Sequence, residues 1–234
     1  TGVMGASMCG HLLDAGYPVT LHTRTKSKAR PLLDRGAAWA DSPAAVCALS
    51  DATLTMVGFP ADVRDVYFGP HGLIACAKPG SILIDMTSTD PSLSREIADA
   101  ASARGLYALD APVSGGDLGA RKAVLSIMIG GEAAAVGRAR PLFERLGKTS
   151  VHQGGAGAGQ QAKLCNQIVI AGTMIGVCES LLYARKQGLD PLAVIAILEK
   201  GAAQSWTLSN LGRRMAAGDF APGFYVEHFI KDLG

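Results

Sequence analysis

Short apolar runs rich in β-branched residues alternate with helical stretches through the first half of the chain. Residues 19–23, 53–57, 81–85, 107–110 and 124–129 read as strands. Helical patterns cover 27–33, a stretch from Ala61 onward, and a stretch from Pro91 to about residue 104. Strands that are apolar throughout and separated by helices predict a parallel sheet covered on both faces. Beyond residue 159 the strand signal nearly disappears. Residues 160–186 form one long helical pattern closed by Gly188. Further helices are expected over 191–201, over 205–217 and from Phe224 onward. The glycine-rich stretch 154–159 separates the halves. The expected organisation is an α/β domain over 1–157 and an all-helical domain over 158–234. The pattern also predicts a further strand ahead of Thr1 and further helix after Gly234.

Composition narrows the choice. The chain has 234 residues, 48% of them hydrophobic and 18% charged, which is ample for a large core. The net charge of +2 gives no electrostatic reason to expect a nucleic-acid partner. The five cysteines lack C-x-x-C spacing, so they read as buried thiols in a reducing, cytoplasmic setting. The histidines show no metal-ligand spacing, and no metal is expected. No charge-free run reaches the length of a membrane span, and no membrane partner is expected. The apolar stretch 168–182, with Gly172 and Gly176, exceeds what a small domain buries alone. It is expected to pack under the first domain, against a second copy, or both, giving a homo-oligomer, dimer or tetramer.

Several groups carry candidate chemistry. Gly2-Val3-Met4-Gly5 precedes a helix, and a strand follows at βαβ spacing. One more glycine ahead of Thr1 would complete G-x-G-x-x-G, the turn that brings a dinucleotide pyrophosphate to a helix N-terminus. Taken alone, the four residues are only a glycine turn. The next strand ends in His22-Thr23-Arg24-Thr25, with Lys26 and Lys28 behind it, where an NAD site places a ribose-binding carboxylate. Arginine there favours a 2′-phosphate, hence NADP over NAD, although a solvated basic loop would look the same. Gly58-Phe59-Pro60 and Thr87-Ser88-Thr89 each end a strand and face the ligand crevice of such a sheet. They serve equally well as turns and caps, and Thr89-Asp90-Pro91 suits a helix start.

Asp110-Ala111-Pro112-Val113-Ser114-Gly115-Gly116 joins a hydroxyl to two unencumbered backbone N–H groups, a cradle suited to a carboxylate. Lys163 and Asn166 lie three apart, on one face of the long helix. An anion cradle and a proton-donating lysine are what carbonyl reduction beside a carboxylate requires. A plain turn and a solvated helix face are the bland alternatives for each motif taken separately.

These motifs occur in the order Gly2–Gly5, Asp110–Gly116, Gly157-x-Gly159-Gln160-x-x-Lys163-x-x-Asn166, and Lys231-Asp232-Leu233. In that order the chain resembles the β-hydroxyacid dehydrogenase family over essentially its whole length. The resemblance implies a Rossmann-type doubly wound sheet followed by an all-α domain, and an oligomer. It implies Lys163 as the catalytic group, with Asn166 orienting the substrate. Ser114, Gly115 and Gly116 would hold the substrate carboxylate. Lys231 would lie near substrate and nicotinamide, with Asp232 beside it on the cofactor side. Gln167 stands where a second asparagine is common, which weakens a strict 3-hydroxyisobutyrate assignment. An imine reductase on the same scaffold, or a non-catalytic dinucleotide-binding module, would be expected to have lost the lysine.

Overall fold

The computed structural model describes residues 2–221 and 223–233. They fall into two compact units: residues 2–163 with 226–232, and residues 164–221 and 223–225 with Leu233.

In the first unit the chain begins with α1 (Val3–Asp14), β1 (Thr20–Leu21), a 3₁₀ turn (Lys26–Ala29), α2 (Arg30–Leu33) and β2 (Ala38–Trp39). There follow α3 (Pro43–Leu49), β3 (Ala52–Thr55), α4 (Pro60–Phe68), α5 (Leu73–Cys76), β4 (Ile82–Asp85), α6 (Pro91–Ser102) and β5 (Tyr107–Asp110). Then come β6 (Val113–Ser114), α7 (Gly116–Arg121), β7 (Leu125–Gly131), α8 (Ala133–Leu146) and β8 (Gly147–Gly154). Helix α9 (Ala158–Lys186) starts in this unit and continues into the second. The second unit adds α10 (Pro191–Leu198), a π-helical segment (Thr207–Gly212) and α11 (Arg213–Ala216). Helix α12 (Val226–Leu233) brings the chain back to the first unit.

Helix starts follow local chemistry. Ser42 accepts a hydrogen bond from Ala45 N at 3.1 Å ahead of Pro43, and Asp90 accepts from Ser92 N at 2.7 Å ahead of Pro91. The larger sheet has six strands, ordered β3-β4-β5-β7-β6, with β8 on the other side of β7. Strand β4 is buried at every position because its two faces feed different cores. Ile82 and Ile84 join Leu109, Ile127, Ile129 and Phe143 on one face. Leu83 joins Val63, Tyr67, Leu93 and Ile97 on the other. Each such side chain contributes roughly 1.5–3 kcal/mol by leaving water.

The sheet is parallel over β3-β4-β5 and β7-β8, but β5 and β6 both run antiparallel to β7. The expected parallel sheet is thus parallel-dominated, with an antiparallel step at β7 that the sequence did not announce. Only residues 115–124 join β6 to β7, a link too short for a crossover, whereas the α8 connection is long enough to bring β8 back parallel. Strand β8 itself, Gly-Lys-Thr-Ser-Val-His-Gln-Gly, is mostly exposed and polar, so no apolar run announced it. The stretch 27–33 divides into a 3₁₀ turn and a four-residue helix, and 205–217 is π-helical over much of its length. There Gly212 packs beside Val177 and Ile195.

In the second unit a small core gathers Val177, Ile195 and Leu208, with Leu181, Leu198 and Met215 around it. Helix α9 is long and apolar enough, by length and composition, to cross a membrane. Ile168, Val169, Ile175, Leu182 and Tyr183 on it are all more than half exposed. The cysteine expectation also needs correcting. All five are free thiols, but Cys165 and Cys178 are exposed, because both stand on the uncovered part of this helix.

Candidate active site

The C-terminal ends of β3, β4 and β5 are tied together by side chains from α9 and α12. The Asp110 carboxylate, at the end of β5, accepts from Gly157 N at 2.8 Å and Gln160 N at 2.9 Å. It is the cap of α9, supplied from a distant strand. Gln160, 1% exposed, donates from Nε2 to Thr87 O at 2.8 Å and accepts at Oε1 from Thr89 N at 3.1 Å. Lys231 Nζ donates to Ser88 O at 2.9 Å and lies 3.4 Å from Gly58 O. The tripeptide after β4 is thus held by α9 and α12 together. Close backbone approach makes this possible: a Cβ on Gly159 would collide with Met128 O and Asp110 O.

Lys163 follows Gln160 by three residues on α9 and is 8% exposed. Burial pushes its pKa below the ordinary lysine value. The nearby Asp232 carboxylate works against that shift, and the Lys231 ammonium adds to it. Lys231 and Asp232 form an ion pair at 3.0 Å. Asp85, beside Asp110 in register at the end of β4, is pushed up to about 7 by burial. Its hydrogen bonds from Thr87 and the Lys231 charge oppose the shift, and Asp110 adds to it. Burial likewise raises Asp110, against its backbone hydrogen bonds from Gly157, Gln160 and Gly159.

Ser114 closes β6, and Gly115 and Gly116 turn the chain into α7 with φ of +128° and +60°. A side chain at Gly115 would be strained and would press on Leu125, whereas open space stands before Gly116. Asn166 lies one turn past Lys163 along α9, and its Nδ2 donates to Gln167 Oε1 at 2.8 Å.

The cofactor candidates sit at the first helix and the strand ends. Gly2 caps α1 with no side-chain bond, the first turn holds no acid, and a Cβ at Gly2 or Gly5 would meet only open space. That leaves helix N–H groups and room before them, which fits a pyrophosphate. Val3 is exposed, and Met4 packs on the core. Arg24 is 86% exposed at its side chain and reaches within 3.6 Å of Asp62. Thr25 caps the 3₁₀ turn, and its carbonyl accepts from Lys28 N. Phe59 N donates to Asp62 Oδ2 at 3.1 Å, and Pro60 opens α4.

Three buried polar residues at the strand ends escaped the sequence reading. Gln160 stood inside a quoted motif but received no role, Asp110 was read as the end of a strand and the start of a turn, and Asp85 only as the end of a strand. For the two aspartates the only signal was a polar residue ending an apolar run, and Gln160, among glycines at the start of α9, had none.

A sheet covered on both faces, with a glycine-capped helix and a buried lysine at its strand ends, is an arrangement that suits an oxidoreductase of the nicotinamide dinucleotide class. Known proteins agree. A family model described as the NAD binding domain of 6-phosphogluconate dehydrogenase matches residues 1–155. A second, described as the NAD-binding of NADP-dependent 3-hydroxyisobutyrate dehydrogenase, matches residues 157–234. The uncharacterized oxidoreductase YkwC of Bacillus subtilis is 53% identical over 233 residues, covering 100% of this chain and 81% of that protein. The 2-hydroxy-3-oxopropionate reductase of Escherichia coli is 40% identical, over 99% of this chain and 79% of its own length. The solved Mycobacterium tuberculosis 3-hydroxyisobutyrate dehydrogenase with L-serine superposes with a TM-score of 0.90 at 33% identity, over 100% of this chain and 81% of that one. The chain belongs to the β-hydroxyacid dehydrogenase family of NAD(P)-dependent enzymes.

Proposed function

We propose that the chain is an NADP-preferring reductase that interconverts a small β-hydroxyacid and its semialdehyde or keto acid, with Lys163 as the general acid and base. The observation that carries this reading is the buried Lys163 ammonium, placed with Lys231 and Asp232 at the strand ends where α/β sheets bind ligands.

The bound nicotinamide supplies or accepts the hydride at the carbon bearing the oxygen. Lys163 donates a proton to the developing alkoxide in reduction and takes it back in oxidation. Its lowered pKa brings that exchange nearer to working pH. Ser114 Oγ and the N–H groups of Gly115 and Gly116 hold the substrate carboxylate. Asn166, a turn beyond the lysine, orients the substrate oxygen. Gly2 through Gly5 receive the pyrophosphate at the start of α1, and Arg24, Thr25 and Lys28 hold the 2′-phosphate. Gly58, Phe59, Pro60, Thr89 and Lys231 with Asp232 line the nicotinamide side. The exposed apolar face of α9 supports a homo-oligomer, and the compartment in this reading is the cytoplasm.

Glyoxylate, succinic semialdehyde, tartronate semialdehyde and methylmalonate semialdehyde all carry a carbonyl and a carboxylate that such a site accepts. Turnover of each with NADPH and with NADH tests the reading. Reduction of at least one, faster with NADPH, is the expected result. Tight NADPH binding with turnover of none would favour a non-catalytic module.

A further inference from the structure

The side chain of Gln160 spends both of its polar atoms on backbone that does not belong to its own helix. Nε2 donates to Thr87 O at 2.8 Å, and Oε1 accepts from Thr89 N at 3.1 Å. Its backbone N–H goes to Asp110 Oδ2 at 2.9 Å. Three bonds from one residue therefore reach two strand ends, β4 and β5. A helix turns by about 100° per residue, so fixing one side chain in direction fixes the azimuth of the next turn. Gln160 and Lys163 are separated by three positions and share a face. Both are buried, at 1% and 8% exposure. On the far side of the same tripeptide, Lys231 Nζ holds Ser88 O at 2.9 Å.

We propose that Gln160 is a positioning residue for Lys163: by clamping Thr87 O and Thr89 N with one amide, it sets the rotation of the first turns of α9 and so holds the lysine at the strand ends. This proposal rests on the reading of Lys163 as the proton-transfer group.

An amide suits this place for stereochemical reasons. It offers one donor and one acceptor at the same distance from the helix. Asparagine falls a methylene short. An ionised glutamate would face Thr87 O with no proton to donate. Methionine fills the volume but leaves Thr87 O and Thr89 N buried and unpaired. Catalysis is sensitive to such losses, since a displacement of about 1 Å costs on the order of a hundredfold in rate.

The test is a double-mutant cycle on the full chain with Gln160→Met, Lys163→Ala and both together. The substrate is whichever of glyoxylate, succinic, tartronate or methylmalonate semialdehyde the parent reduces fastest. Gln160→Met is expected to lower kcat by roughly ten- to a hundredfold, with the Kd for NADPH changed only a few-fold. It should also move the alkaline limb of the kcat profile upward, toward the ordinary lysine value, as Lys163 leaves its buried place beside Lys231 and Asp232. In the Lys163→Ala background the same substitution should change kcat little. An unchanged kcat and pH limb in Gln160→Met, or an equal loss with and without Lys163, overturns the proposal.

Gln160→Glu covers the case in which Gln160→Met does not fold. Protonated, it regains a donor and an acceptor, so its kcat should recover as the pH falls. Titratable neighbours at this place are Asp85, Asp110, Lys163, Lys231 and Asp232. A Gln160→Glu enzyme without acid-side recovery overturns the proposal as well. Near-parental turnover by Lys163→Ala would instead bring down the lysine reading itself, which is a separate and recognisable outcome.

Discussion

Asp110 Oδ1 accepts a hydrogen bond from Gly157 N at 2.8 Å across 47 residues of sequence, so the cap of α9 lies at the end of β5. Helix caps are ordinarily the neighbouring residue and contribute about 0.5–2 kcal/mol. This one is buried and also accepts from Gln160 N. Asp110→Ala is expected to destabilise the fold by at least the upper end of that range. Denaturant unfolding should show a lower midpoint with an unchanged slope. A midpoint equal to the parent's would mean that the carboxylate contributes nothing net.

Lys163 and Lys231 set the next expectation. Arginine at 163 keeps the charge but does not release a proton at any working pH. Lys163→Arg and Lys163→Ala should therefore both lose turnover by roughly a hundred- to ten-thousandfold, with NADPH binding retained. Lys231 contributes to the lowered pKa of Lys163, so Lys231→Met should shift the alkaline limb of the reduction profile upward. Near-normal turnover by Lys163→Arg would move the proton donor to water or another group.

In the proposed reading, cofactor choice turns on Arg24. Its guanidinium is exposed, and Asp62 is the only carboxylate it pairs with among the described residues. Arg24→Asp should weaken NADPH much more than NADH when Kd values are compared by fluorescence titration. Equal weakening of the two would remove the phosphate-reading role.

Asp85 makes stability depend on pH. In the fold it keeps its proton to about 7, whereas its ordinary value is 3.8. Between those values ionisation favours the unfolded chain, so stability should fall as pH rises from about 4 to about 7 and then level off. Asp85→Asn should flatten that slope and raise the melting temperature at neutral pH. A slope identical to the parent's would leave the charge of Asp85 without effect.

Assembly is expected to run through α9, whose Ile168, Val169, Ile175, Leu182 and Tyr183 are more than half exposed. Light scattering at micromolar concentration should report at least a dimer. Ile168→Glu with Tyr183→Glu should give monomer. A parent chain that is already monomeric would leave this face for some other cover.

Much of the fold was legible because it is written in local patterns. Strands 81–85 and 107–110 announce themselves by apolar runs, and the helix from Pro91 by the cap chemistry of Asp90-Pro91. Strand β8 was not legible, since it is exposed and polar and is held by pairing with β7. The antiparallel turn at β7 was missed for a similar reason, because strand direction depends on connection length more than on strand composition. At the candidate site the glycines and Lys163 stood out as motifs. Asp110 and Gln160 stood in the same motifs without a role, because their roles lie in hydrogen bonds to backbone 47 to 73 residues away, and no spacing rule reports those.

The glycine-rich stretch before α9 looks like a hinge when read as letters. In the structure it is a joint made under tight tolerances. A Cβ on Gly157 would stand 2.8 Å from Pro91 O, and one on Gly159 would collide with the end of β5. For protein engineering this changes where recombination is safe. A chimera spliced within the glycine stretch would separate the lysine-bearing helix from the aspartate that begins it and from the loop that Gln160 grips. Exchange of the C-terminal half between related chains should therefore leave Thr87–Thr89, Asp110, Gln160 and Lys163 together upstream as one matched set, with the crossover placed downstream of Lys163.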